Sequence, residues 1–219
     1  MRWNSDETTD DEPPGRRGYH HGNLREALVE AALALIGAKG AAGFTIAEAA
    51  RRAGVSPGAP YRHFRDGDAL LAEVAARGFA MLAAALAGAW NHGRPEKLRA
   101  FEAMGRAYLA FARGRPEHYA AMFDTRLANA DHPGLATARD NAFAVLREAA
   151  DQLVAELDPR PPGLMVALHV WALAHGIASL FGRAQAGKRP LPMPPEDLLE
   201  AGILLYLQGL GLAGGPARG

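Results

Sequence analysis

Residues 45–64 read TIAEAARRAGVSPGAPYRHF, and the spacing predicts two short helices joined by a tight turn. Thr45 followed three residues on by Glu48 is a capping box, in which hydroxyl and carboxylate each satisfy a backbone N–H left open by the first helical turn. That helix ends at Gly54, where a positive φ is cheap only for glycine, and Ala50 stands where the helices cross too closely for a larger side chain. Ser56 as N-cap and Pro57 at the first helical position open the second helix, which runs to about Phe64. Val55 and Phe64 anchor its ends against Ile46, Ala49 and Ala53. The pair packs as a helix-turn-helix and presents residues 56–63 outward.

Working outward, a helix starts at the N-cap Asn23, carries Leu24, Leu28, Ala31, Leu35 and Ile36, and stops at Gly40. A fourth begins at Asp66 and reaches about Trp90. After the Gly93-Arg94-Pro95 break, Pro and Gly punctuation separates helices near 96–113, 116–128, 133–157, 161–186 and 195–212. β-branched residues are sparse and no period-two run appears, so the fold class is all-α. The expected organisation is a disordered acidic and basic tail over 1–17, a three-helix helix-turn-helix domain over 18–66, a second helical domain over 67–212, and a disordered tail over 213–219.

The chain has 219 residues and no cysteine, so no disulfide framework, thiolate metal site or cysteine nucleophile is available, which suits a reducing cytoplasm. Its beginning is acidic and polar, unlike an export signal. Charged residues, Gly and Pro interrupt the apolar helices, and no membrane span is expected. The zero net charge hides an uneven distribution: residues 1–15 balance at −4, residues 16–65 at +5 and the remainder at −1. The basic block coincides with the helix-turn-helix, as phosphate binding requires.

The run from the apolar first helix through TIAEAARRAGVSPGAPYRHF resembles the DNA-binding domain of the TetR family of transcriptional regulators. The segments GYHHGNLREALVEAA and HVWALAHGIASLF, with Trp171, His175 and Gly176, are similar to a TetR subgroup whose C-terminal domain is named for a Trp-His-Gly pattern. This resemblance implies a homodimer on a palindromic double-stranded DNA operator, released by a small-molecule effector. Gly58 and Ala59 then let the backbone approach DNA, and Ala59 or Pro57 meets a thymine methyl. Tyr61 and His63 contact phosphate, Arg62 reaches a guanine edge, and Thr45 offers its hydroxyl and its helix's free N–H groups to a phosphate. Ser56 caps the presented segment, and Arg16, Arg17, His20 and His21 form an arm to the backbone or minor groove. Two positions depart from the family pattern: Gly67 replaces a customary lysine, and Pro60 removes a donor in the first turn of the recognition helix.

In the C-terminal half, the helices near 161–186 and 195–212 are apolar nearly all round and need cover on both sides. Leu164, Leu168, Trp171, Leu198, Gly202, Leu205, Tyr206 and Gly209 are expected to form a four-helix dimer interface. Met104, Tyr108, Phe111, Met122, Phe123, Phe143 and Met165, with His169 or His175 as polar handle, are candidates to line a cavity for a small apolar effector. His169 and His175 stand about 120° apart round a helix, which is wrong for joint metal ligation, so neither metal nor cofactor is expected. Paired carboxylates, a Ser-His-Asp arrangement, HExxH and a phosphate loop are absent from any supporting context, so an enzyme is not expected. The remaining alternative is a ligand-independent repressor or an activator.

Overall fold

The computed structural model describes residues 24–124, 127, 132–181 and 192–212. Among them are eight α-helices and no strand. The tails, the arm residues Arg16, Arg17, His20 and His21, and the cap Asn23 lie outside the described residues.

Helix α1 (Leu24–Lys39) buries Leu28, Val29, Ala31, Ala32 and Ile36 and gives way at Gly40, whose φ is 80°. Helix α2 (Ile46–Arg52) starts from Thr45 with the capping box fully formed, and Gly54 turns the chain at φ 71°. The next element departs from expectation. The α-helix anticipated over 56–64 is a single 3-10 turn, Ala59–Arg62. The Ala59 N–H donates to the Ser56 carbonyl at 3.0 Å, and Pro60 has no N–H with which to extend the pattern as an α-helix. Pro57 and Gly58 beside it are poor helix formers as well.

Helix α3 (Gly67–Trp90) is the beam of the molecule, about 36 Å long at 1.5 Å per residue. The Asp66 carboxylate caps it, accepting the Ala69 N–H at 2.8 Å. One end of α3 packs on α1, and the rest lies against α4 (Lys97–Gly114), α5 (Pro116–Met122) and α6 (Pro133–Leu153). Arg77 on α3 donates to both Glu26 carboxylate oxygens at 2.6 and 2.8 Å, while Arg25 donates to Glu73 at 2.7 Å. These pairs clip the N-terminal unit to the bundle, and Arg77 holds the Glu26 carboxyl below its usual range.

Helix α7 (Gly163–Phe181) packs on α6, and α8 (Pro195–Gly209) closes over α4 and α7. Small residues set these distances: a Cβ at Gly105 would stand 2.9 Å from Ile203, and one at Gly202 would stand 2.7 Å from Leu173. Gly202 therefore serves the α7–α8 contact within the chain. Ion pairs Arg106–Glu200 and Arg113–Glu196 pin α8 to α4. Contrary to the expectation that charges interrupt the apolar helices, α3 and α7 are both long and apolar enough to cross a membrane by length and composition. Half of the apolar window of α3 is buried inside the protein, as expected of a core helix, but only a third of that of α7.

Candidate DNA-binding face and ligand cavity

The turn after α2 is held from beneath and bare on top. Pro60 and Phe64 are buried, Ala59 is half-buried, and Ser56, Pro57, Gly58, Tyr61, Arg62 and His63 are exposed. Arg25 lies over the Phe64 ring, its guanidinium carbon 5.5 Å from the centroid, and so ties the turn to α1. Arg51, Arg52 and Arg62 are exposed and make no ion pair among the described residues. Thr45 is placed differently from its expected role. Its N–H and its hydroxyl both donate to Glu48 Oε2, at 3.0 and 2.9 Å, and Lys39 donates to the same oxygen at 2.6 Å. The hydroxyl is thus already committed, and a phosphate at this end would meet the Ile46 and Ala47 N–H groups beside an ionised Glu48. A Cβ at Gly67 would stand 3.7 Å from the Ile46 backbone, so a lysine would fit where glycine replaces it.

The candidate cavity residues divide into separate places. Met104 and Tyr108 border a space of about 20 Å³ between α3, α4, α6 and α7, room for a water rather than an organic ligand. Trp171 also borders it, half-buried with its ring 4.8 Å from that of Phe143. Phe111 and Met122 are core, Met122 seated over Gly78. Met165 and His169 turn away from these spaces: the helical period sets them with Leu168 and Ala172, opposite Val170 and Ala174. His169 instead meets Tyr206 edge-on at 5.1 Å. Because the whole of α7 is apolar, its periodicity did not reveal which face turns inward.

A second, larger space of about 730 Å³ opens between α4, α5, α7 and the start of α8. Phe123 lines it, together with Tyr119, Ile177 and Ser179, which the sequence reading missed. Tyr119 on α5 stands four residues before Phe123 at that helix's C-cap, and that spacing is the available signal. His175 sits behind this wall. The Tyr119 hydroxyl lies 2.9 Å and the Tyr108 hydroxyl 3.2 Å from its Nδ1, and the Phe123 ring is 4.2 Å from the imidazole. Burial lowers the His175 pKa and favours the neutral ring, in which one nitrogen carries the proton and the other accepts. Burial likewise pushes the Tyr108 hydroxyl far above the usual phenol range and keeps it a donor.

The outer faces of α7 and α8 carry Leu164, Met165, Leu168, Leu180 and Leu205, the last 70% exposed. A Cβ at Gly176 or Gly209 would meet nothing within 4 Å. Leu198 and Tyr206 are half-buried against the core, and the Tyr206 hydroxyl is buried without a partner among the described residues.

A basic helix-turn-helix turned outward and rooted in a helical bundle is the architecture of a DNA-binding transcriptional regulator. Residues 28–74 match the family model described as bacterial regulatory proteins, tetR family, and residues 101–206 match the one described as tetracyclin repressor-like, C-terminal domain. The chain belongs to the TetR family. No protein among curated sequences matches it. A solved structure from Rhodococcus sp. RHA1, of a protein with unknown function, is 29% identical, covering 89% of this chain and 99% of that one with a TM-score of 0.74. The TetR family transcriptional regulator PfmR from Thermus thermophilus shares the fold at 20% identity, 84% and 98% coverage and a TM-score of 0.64. The fatty acid degradation regulator FadR from Bacillus halodurans does so at 12% identity, 90% and 97% coverage and a TM-score of 0.67.

Proposed function

We propose that the chain is a cytoplasmic homodimeric repressor that binds a palindromic operator near its own gene and leaves it when a small molecule enters the C-terminal domain. The observation that carries this reading is the exposed 56–63 segment, with Arg62 bare, on a scaffold whose α3 runs without a break from that segment to the cavities. Arg62 reads a base edge, Tyr61 and His63 hold phosphates, and Gly58 brings the backbone close. The outward apolar faces of α7 and α8 supply the two-fold contact, with Leu164, Leu168 and Leu205 meeting their symmetry mates. Helix α5 supports the coupling. Tyr119 lines the larger cleft, while Glu117 on the same helix lies 3.2 Å from where a Cβ of Gly37 on α1 would stand. A ligand that moves α5 therefore moves the DNA-binding unit.

The test is selection of the full-length protein on random duplexes followed by titration of the recovered sequence. A palindrome bound with nanomolar affinity that falls steeply with salt supports the reading. Binding that ignores sequence and salt overturns it. The same complex, exposed to a metabolite library, separates an effector-controlled repressor from a ligand-independent one.

A further inference from the structure

Among the described residues the larger cleft is mostly apolar, with one uncharged polar spot on its wall. Leu109, Ala112, Ile177 and Phe181 form its sides, and its charged residues among those described, Arg113 and Glu196, are paired with each other. Burial raises the Glu196 carboxyl, but its own N–H and Arg113 outweigh that and keep it ionised. Among these described residues neither an anion nor a cation would find an unanswered charge, and each would lose its hydration on entry.

The polar spot is Ser179 with His175 behind it. With Nδ1 assigned as acceptor of the Tyr119 hydroxyl at 2.9 Å, the imidazole proton sits on Nε2. Its nearest acceptor is Ser179 Oγ at 3.4 Å, and Ser179 Oγ is also 3.4 Å from the Tyr119 hydroxyl. The Tyr119 hydroxyl donates to Nδ1 and the Nε2–H points at Ser179 Oγ, so the serine oxygen is the acceptor of that pair, and the bonds around it are at the long limit. The Ser179 hydroxyl proton is thereby free to meet an acceptor in the cleft.

We propose that the cleft binds an uncharged, elongated apolar molecule bearing a carbonyl-type oxygen, such as a ketone, ester or lactone. The oxygen accepts from the Ser179 hydroxyl, which the His175 Nε2–H supports from behind, and the hydrocarbon body lies along Leu109, Ala112, Ile177 and Phe181. This deepens the effector reading above and rests on it for its biological meaning, but not for the binding itself.

The experiment titrates full-length protein with methyl octyl ketone, decanoate and decylammonium by calorimetry and thermal shift. The ketone binds once per chain, and each charged probe binds at least tenfold more weakly. Ser179→Ala weakens ketone binding by about three- to tenfold, the loss of one neutral hydrogen bond. Ala112→Phe, with its fold checked by its melting curve, weakens it at least tenfold by standing where the hydrocarbon body lies. Tighter binding of decanoate that is lost in Arg113→Ala overturns the proposal in favour of anion recognition. Ketone binding indifferent to Ala112→Phe, or no response to any probe, overturns the site. A ketone that binds as described yet leaves the operator complex intact preserves this inference and refutes the effector role instead.

Discussion

Gly58 has an ordinary helical φ of −83°, and nothing lies within 4 Å of where its Cβ would stand. The fold makes no demand for glycine there, so any demand comes from outside the molecule. Gly58→Leu is expected to leave stability within about 0.5 kcal/mol, as exposed substitutions do, while lowering operator affinity at least tenfold because its methyl groups stand between backbone and DNA. A thermal melt paired with a gel-shift titration checks this, and wild-type DNA affinity in the variant would refute the close approach. Glu102 is the opposite case, a carboxylate only 2% exposed. One oxygen reaches the exposed Arg99 at 3.3 Å and the other has no partner among the described residues. A buried acceptor left open costs about 1–3 kcal/mol, so Glu102→Leu is expected to raise the urea midpoint. A lower midpoint would mean that the carboxylate has an essential partner. The capping box at Thr45 and the cap at Asp66 were legible in sequence because both are chemistry between residues three apart. Glu102 was not, because its burial is imposed by helices distant in the chain.

At the scale of elements, legibility followed how locally each boundary is determined. Helix starts at 46, 67, 116, 133 and 195 fell where Thr, Asp and Pro signals placed them, within a residue or so. The recognition segment did not, although its Pro60 was noticed: losing a single N–H in a segment of four residues leaves no second turn to sustain an α-helix, whereas a longer helix would merely kink. The facing of α7 was unreadable for the reason given by its composition, and it sent Met165 and His169 outward and Trp171 inward. The start of α7 yields a sharper expectation. A Cβ on Gly163 would overlap the Asp151 carboxylate and lie 2.9 Å from the Asp151 Cα. The side chain can swing aside but the backbone of α6 cannot, so Gly163→Ala is expected to cost about 1–3 kcal/mol through forced separation of α6 and α7. That is a melting temperature several degrees lower for a chain of this size. An unchanged melt would show that the α6–α7 junction is slack.

For the whole molecule, acidification and dimerisation are the two global tests. His118 and His175 are both held below the ordinary imidazole pKa by burial, with Arg115 adding to the effect at His118. The unfolded chain takes up these protons near pH 6.5 and the folded chain only lower, so stability is full above about pH 6.5 and declines as pH falls below it. Glu26 and Asp66, whose pKa values are lowered by Arg77 and Arg65, extend the loss further into acid. Urea midpoints between pH 7.5 and 5 check this, and His175→Gln is expected to flatten the upper part of the decline; an identical decline in the variant would remove His175 from the account. The second test concerns the apolar cover of α7 and α8. Leu168 and Leu205 are 50% and 70% exposed in the single chain, and a patch of such residues on helices that carry the bundle core is the mark of an interface rather than of a solvated surface. Placing a glutamate at each forces four like charges together across a two-fold axis, where desolvation and repulsion both oppose contact. The Leu168→Glu, Leu205→Glu protein is expected to sediment as a monomer with an unchanged far-ultraviolet spectrum. Because each half of a palindrome must then be bound independently, its affinity should drop by a factor of a hundred or more on the order expected for lost bivalency, while a single half-site is bound as before. A double variant that still sediments as a dimer, or that loses half-site binding too, would place the interface elsewhere.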